Sequence, residues 1–178
     1  KFKSLGGVIV ADESFLPDSY DFRTQITKSL AENPDAIYIV PQTPPKLGIL
    51  LKQLNELGYK GPLYTNELAT ASEVSQNYKS HIEGAFFAEP EFNPEAPLSK
   101  QFLNAYQNNF GKEKFGLPQI YLATAYDAVY IFKEAIEKCG EINSECIKEQ
   151  LYSIKNRKGA AGKLTIDKNG DPELEYVL

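Results

Sequence analysis

Between Asp35 and Glu67 two short apolar runs flank a leucine-rich helix, and each run stops in a cluster of polar side chains. Ala36-Ile37-Tyr38-Ile39-Val40 leads into Pro41-Gln42-Thr43-Pro44-Pro45. Leu47, Leu50, Leu51, Leu54 and Leu57 then recur at helical spacing, and Gly58 marks the end of that helix. A second run, Pro62-Leu63-Tyr64, stops at Thr65-Asn66-Glu67. A strand–helix–strand unit of this kind predicts parallel strands joined by a right-handed crossover. In open parallel sheets ligands lie outside the carboxyl ends of the strands. Gln42, Thr43, Asn66 and Glu67 therefore read as half of a polar small-molecule site.

The same alternation extends to both sides. Gly7-Val8-Ile9-Val10-Ala11 reads as a short buried strand and Asp12 to Ser19 as a loop. Asp21 is placed to cap a helix carrying Phe22, Ile26 and Leu30 on one face, which Asn33-Pro34-Asp35 breaks. The first 67 residues thus alternate β-α-β-α-β. Thr70 or Ser72 is positioned to cap a short helix with His81 near its end, and Gly84-Ala85-Phe86-Phe87-Ala88 reads as a further strand. Glu89 to Pro97 holds three prolines and three acids, the composition of a crossing between lobes.

Beyond it the pattern is helical. One stripe is Leu98, Phe102, Tyr106 and Phe110, a long helix covers Tyr121 to Ile136, and a third carries Ile147, Leu151 and Ile154. Gly162-Lys163-Leu164-Thr165-Ile166 reads as a strand turned by Asp167 to Asp171, with Asn169-Gly170 as the hairpin signal.

A length of 178 residues fits one domain or two small lobes. The net charge of -5 argues against nucleic acid or an anionic membrane as the main partner. No apolar run reaches the roughly 20 residues that cross a bilayer, and no signal peptide is read. Lys1-Phe2-Lys3-Ser4-Leu5-Gly6-Gly7 looks like a helix end with a glycine stop, and Leu174 to Leu178 like a strand cut mid-course. Together with the absence of Met, these ends read as an excerpt from a longer protein.

The chemistry on offer is that of binding. There is a single His, no glycine-rich phosphate loop, no nucleophile elbow and no metal-ligand cluster, so neither an enzyme nor a cofactor is expected. Cys139 and Cys146 bracket a helix–helix connection in which Ser144 could cap the following helix. Their spacing fits neither a metal site nor a redox pair, which leaves a short-loop disulfide of an exported protein or two free thiols. Glu67 could accept hydrogen bonds from a ligand ammonium or cap the next helix, and Tyr121 is either a core aromatic or a ligand wall.

The order of these segments resembles the second half of a type I periplasmic substrate-binding protein of the leucine/isoleucine/valine-binding family. The matching stretches are Phe2–Val10, Asp21–Leu30, Asn33–Tyr38, Gly48–Gly58, Gly84–Phe87, Ala125-Tyr126-Asp127-Ala128 and Gly159–Asp171. The resemblance implies an α/β fold of two lobes, a parallel sheet flanked by helices in each, here incomplete. Residues 1–88 would belong to the second lobe, 89–165 to the later, mostly helical part of the first, and 166–178 to a strand returning to the second.

It further implies an extracytoplasmic or periplasmic protein that closes on an amino acid or related small polar ligand and passes it to the membrane permease of an ABC importer. Glu67 matches the family's ammonium-binding glutamate, and Tyr121 an aromatic lining the side-chain pocket. Thr43 stands where the family often has a ligand-contacting aromatic, a departure that weakens the case for an aliphatic ligand. On this template the helices from Leu98 to Ile154 would expose an apolar face favouring self-association. The alternative functions are a ligand-sensing domain of the same fold and, from another class, a flavodoxin-like enzyme fragment.

Overall fold

The leucine stripe of the central helix decides how the first part of the chain packs. In the computed structural model, which describes residues 1–111 and 117–178, helix α2 spans Pro44–Glu56 and turns Leu47, Leu50, Leu51 and Leu54 inward, each at most 4 % exposed. Helix α1, Arg23–Ala31, lays Ile26 against this face, and Phe22 just before it is fully buried. Strands β1 (Ile37–Tyr38), β2 (Leu63–Asn66) and β3 (Phe86–Pro90) follow as a parallel set in the order β1-β2-β3. Ile37, Ile39 and Leu63 pack on the cluster formed by Phe22, Ile26, Leu50 and Leu54. Fully burying side chains of this size stabilises by roughly 1.5–3 kcal/mol each.

Between β2 and β3 lie a 3-10 turn, Glu67–Thr70, and two short helices, α3 (Ser72–Asn77) and α4 (Lys79–Ile82). These elements form the first of two units, Lys1–Ala88 with Leu178. The second unit, Glu89–Val177, holds helices α5 (Pro97–Phe110), α6 (Gln119–Cys139) and α7 (Ser144–Tyr152). Its antiparallel strands are β4 (Arg157–Gly159), β5 (Gly162–Ile166) and β6 (Pro172–Glu173), in that order. Strand β7, Tyr176–Val177, pairs antiparallel with Glu89 and Pro90 at the end of β3.

Several expectations are corrected. Val8 to Ala11 forms no strand, and Val8, Ile9 and Val10 are exposed, because among the described residues no neighbouring strand pairs with this run. Gly84 lies outside β3: its φ of 82° is a left-handed turn conformation, and the strand instead continues to Pro90. Neither Thr70 nor Ser72 caps α3, whose cap position is Ala71; the Thr70 hydroxyl bonds back to the Glu67 carbonyl. Asn143, not Ser144, caps α7, its side chain accepting from the Cys146 amide at 3.0 Å. Asp21 accepts from the Arg23 amide, while the Phe22 amide donates to the buried side chain of Gln53 at 2.7 Å.

The hairpin turn is built as expected. Asp167 accepts from the amides of Asn169 and Asp171, which together hold its carboxyl below the ordinary range, and Gly170 takes φ 90°. A disulfide joins Cys139 to Cys146.

The second unit carries a two-pronged ion pair. Arg157 donates through Nε and Nη2 to the two carboxylate oxygens of Glu134, at 2.9 and 2.7 Å. That fork holds the Glu134 carboxyl below its ordinary value against the opposing effect of desolvation. A folded-state depression means the pair's contribution is complete above the unfolded carboxylate value and is lost as pH falls through the folded one. Since Glu134 is about half exposed, Glu134→Gln should cost only about 1 kcal/mol at pH 7. The cost should vanish near the foot of the acid range; urea midpoints at both pH values, unchanged in their difference, would refute this.

Candidate functional site

The two strand ends singled out in the sequence are adjacent in the first unit. Parallel pairing sets Ile37 beside Leu63 and Tyr38 beside Tyr64, and the Ile39 amide donates to the Tyr64 carbonyl at 2.9 Å. The chain then leaves β1 through the buried Pro41 to Gln42 and Thr43, both exposed. Thr43 is fully extended (φ -144°, ψ 151°), and its side chain makes no capping bond to α2. Pro44 and Pro45 occupy the first helical positions, where the missing N–H groups leave no amide unsatisfied and the fixed φ starts the helix.

The end of β2 is tied to this corner. Asn66 donates through Nδ2 to the Pro41 carbonyl at 3.3 Å. Glu67 follows as the first residue of the 3-10 turn and is half-buried. Gln42, Thr43, Asn66 and Glu67 thus follow the carboxyl ends of two neighbouring parallel strands, the end at which ligands bind in open parallel sheets. Exposed hydroxyl and amide groups beside a carboxylate make a surface suited to a ligand with N–H donors.

Tyr121 belongs to the second unit. It is half-buried near the start of α6, and its carbonyl accepts from the Thr124 hydroxyl at 3.0 Å. His81 sits on α4 with Nδ1 3.3 Å from the Ser80 hydroxyl and its ring edge-on to Tyr78. Among the described residues there is no group of three His, Cys, Asp or Glu side chains able to hold a metal. No helix among them is long and apolar enough to cross a membrane.

Two buried polar residues at this corner escaped sequence reasoning. Thr65 is 2 % exposed and its hydroxyl has no hydrogen-bond partner among the described residues. Lys46, in the first turn of α2, is 4 % exposed, with its ammonium 5.7 Å from the centre of the Tyr20 ring. The available signal for Lys46 was its spacing: it follows Thr43 by three residues and borders the apolar stripe, so it shares a helix face with both.

The comparisons with known proteins bear on the family and the fold. A family model described as "Periplasmic binding protein" matches residues 1–176. The chain is 27 % identical over 127 residues to the leucine-, isoleucine-, valine-, threonine- and alanine-binding protein of Pseudomonas aeruginosa, covering 71 % of this chain and 33 % of that one. The crystal structure of a leucine-binding protein from Thermotoga maritima superposes with a TM-score of 0.79 at 30 % identity, covering 98 % of this chain and 49 % of that one. A branched-chain amino acid transporter substrate-binding protein from Streptococcus pneumoniae, solved with isoleucine, gives 0.71 at 25 %, over 96 % and 48 %. The chain therefore spans about half the length of these structural relatives and a third of the curated one.

Proposed function

The chain belongs to the periplasmic binding protein family, and on that premise we propose that its strand-end corner in the first unit binds an amino acid for an ABC importer. Its matched relatives are substrate-binding proteins, not enzymes, and one was solved holding isoleucine. In this reading the Glu67 carboxylate accepts the ligand ammonium, and Thr43 and Gln42 supply neutral hydrogen-bonding groups beside it. The membrane permease of the importer is the partner that receives the ligand. An extracytoplasmic location accords with the Cys139–Cys146 disulfide, since such bonds persist in oxidising compartments.

The observation that carries the proposal is the Asn66–Pro41 hydrogen bond, which fastens the Glu67 turn beside Gln42 and Thr43. A charge-assisted bond from an ammonium to Glu67 would contribute on the order of 1.5–3 kcal/mol. Isothermal titration with leucine, isoleucine, threonine, alanine, glutamate and glutamine tests it. Glu67→Gln should weaken binding of whichever amino acid is held by at least about tenfold. An affinity unchanged by that substitution removes Glu67 from the site.

A further inference from the structure

We infer, on the ligand-binding reading given above, that the strand-end corner selects a polar, uncharged side chain: the amino acid it takes carries a primary carboxamide rather than a hydrocarbon branch. Asn66 gives the first indication. Its carboxamide donates through Nδ2 to the Pro41 carbonyl, while its Oδ1 is shielded from solvent and has no hydrogen-bond partner among the described residues. Turning the group over would set that oxygen against the Pro41 carbonyl, so the bond fixes its orientation. Buried acceptors are almost always paired, and an orphan calls for a donor. At the end of β2, Asn66 thus presents a spare acceptor and no spare donor to a ligand.

The end of β1 has the same character. Gln42 and Thr43 are exposed, and neither side chain is hydrogen-bonded within the described residues. From Pro41 to Pro45 there is no aromatic and no branched aliphatic side chain. A ligand covering this surface strips water from the Thr43 hydroxyl and the Gln42 amide, and a hydrocarbon side chain returns nothing in exchange. Sites that hydrogen-bond a substrate group reject an analogue lacking it far more strongly than apolar pockets reject a missing methylene. A carboxamide brings two N–H donors, one for Asn66 Oδ1 and one for Thr43 or Gln42, and a carbonyl that accepts from them. A carboxylate side chain has no N–H for Asn66, and the charge of the adjoining Glu67 repels it.

Asparagine and leucine are close in shape, so that pair isolates the hydrogen bonds, and asparagine with aspartate isolates the charge. Isothermal titration should show asparagine or glutamine bound at least about tenfold more tightly than leucine and than the corresponding acid. Thr43→Val, an isosteric change at an exposed position, and Asn66→Ala should each narrow the amide-to-leucine ratio, by about threefold or more. If Asn66 only fastens the corner, its loss weakens both amino acids alike and the ratio stays put. A ratio narrowed in either variant supports the inference. Leucine bound as tightly as both amides, or a ratio unchanged in both variants, overturns it and leaves the amino-acid site standing. Aspartate or glutamate bound as tightly as its amide overturns the carboxamide assignment. If no amino acid binds, the amino-acid reading itself falls and the carboxamide preference with it.

Discussion

Asp127→Ala should destabilise the second unit by about 3–5 kcal/mol, seen as a lowered urea midpoint by circular dichroism. Asp127 is 9 % exposed on α6, and its two carboxylate oxygens accept from the amides of Ala160 and Ala161 at 2.8 and 2.7 Å. Those amides belong to the tight turn between β4 and β5, where Ala160 is 2 % exposed and packs on Phe102, Leu103 and Ala123. Alanine would leave the buried Ala160 amide without its acceptor and the part-buried Ala161 amide dependent on solvent. Each bond to a charged acceptor is worth roughly 1.5–3 kcal/mol, and orphaning the donors adds a desolvation cost.

The neighbouring residues are adapted to the same carboxylate. A Cβ on Gly159 would lie 2.3 Å from Asp127 Oδ2, so glycine is required there for close approach. The Ala160 carbonyl is satisfied from the other side by the buried Ser99 hydroxyl at 2.7 Å. Asp127→Asn should cost less than alanine, about 2–3 kcal/mol, because one oxygen still accepts while the amide nitrogen opposes the second N–H. A loss below about 1 kcal/mol for the alanine variant would show that the turn finds other partners.

What the sequence made legible follows from this contrast between local and distant causes. The leucine spacing of α2, the breaks at Asn33 and Gly58 and the Asn169-Gly170 turn act within a few residues, and each appears where periodicity and turn chemistry put it. Val8 to Val10 failed because apolar, β-branched content declares a preference for pairing, whereas a strand needs a partner that local pattern does not contain. Asn143 and Ser144 are both good caps, so only the bond to the Cys146 amide decides between them.

The site divides in the same way. Gln42, Thr43, Asn66 and Glu67 were visible as ends of apolar runs. Lys46 was not, since a lysine beside an apolar stripe ordinarily extends to solvent. Its ammonium instead lies 5.7 Å from the ring of Tyr20, 26 positions earlier by the numbering. Asp127 stood inside a resembling motif, yet its role required amides 33 and 34 residues away.

Gly48→Ala should destabilise the first unit by about 2 kcal/mol, although alanine is the better helix former. On propensity alone the change would gain roughly 0.5–1 kcal/mol. Position 48, however, faces the ring of Tyr78, and an added Cβ would stand 2.2 Å from Cε2. The ring has little freedom to withdraw. Tyr78 is the junction of α3 and α4, its amide bonded to the Val74 carbonyl and its own carbonyl accepting from the His81 and Ile82 amides. Overpacking of this kind costs about 1–3 kcal/mol, enough to outweigh the helical gain.

A double-mutant cycle separates the two effects. In a Tyr78→Ala background the obstruction is gone, so Gly48→Ala should turn stabilising by about 0.5–1 kcal/mol. The same contact bears on binding, because α2 starts beside Thr43 while α3 and α4 follow directly from the Glu67 turn. On the proposed function, forcing α2 and Tyr78 apart should weaken amino-acid affinity in the single variant, and the double should restore part of it. If Gly48→Ala keeps one sign in both backgrounds, the ring does not set the position of the helix.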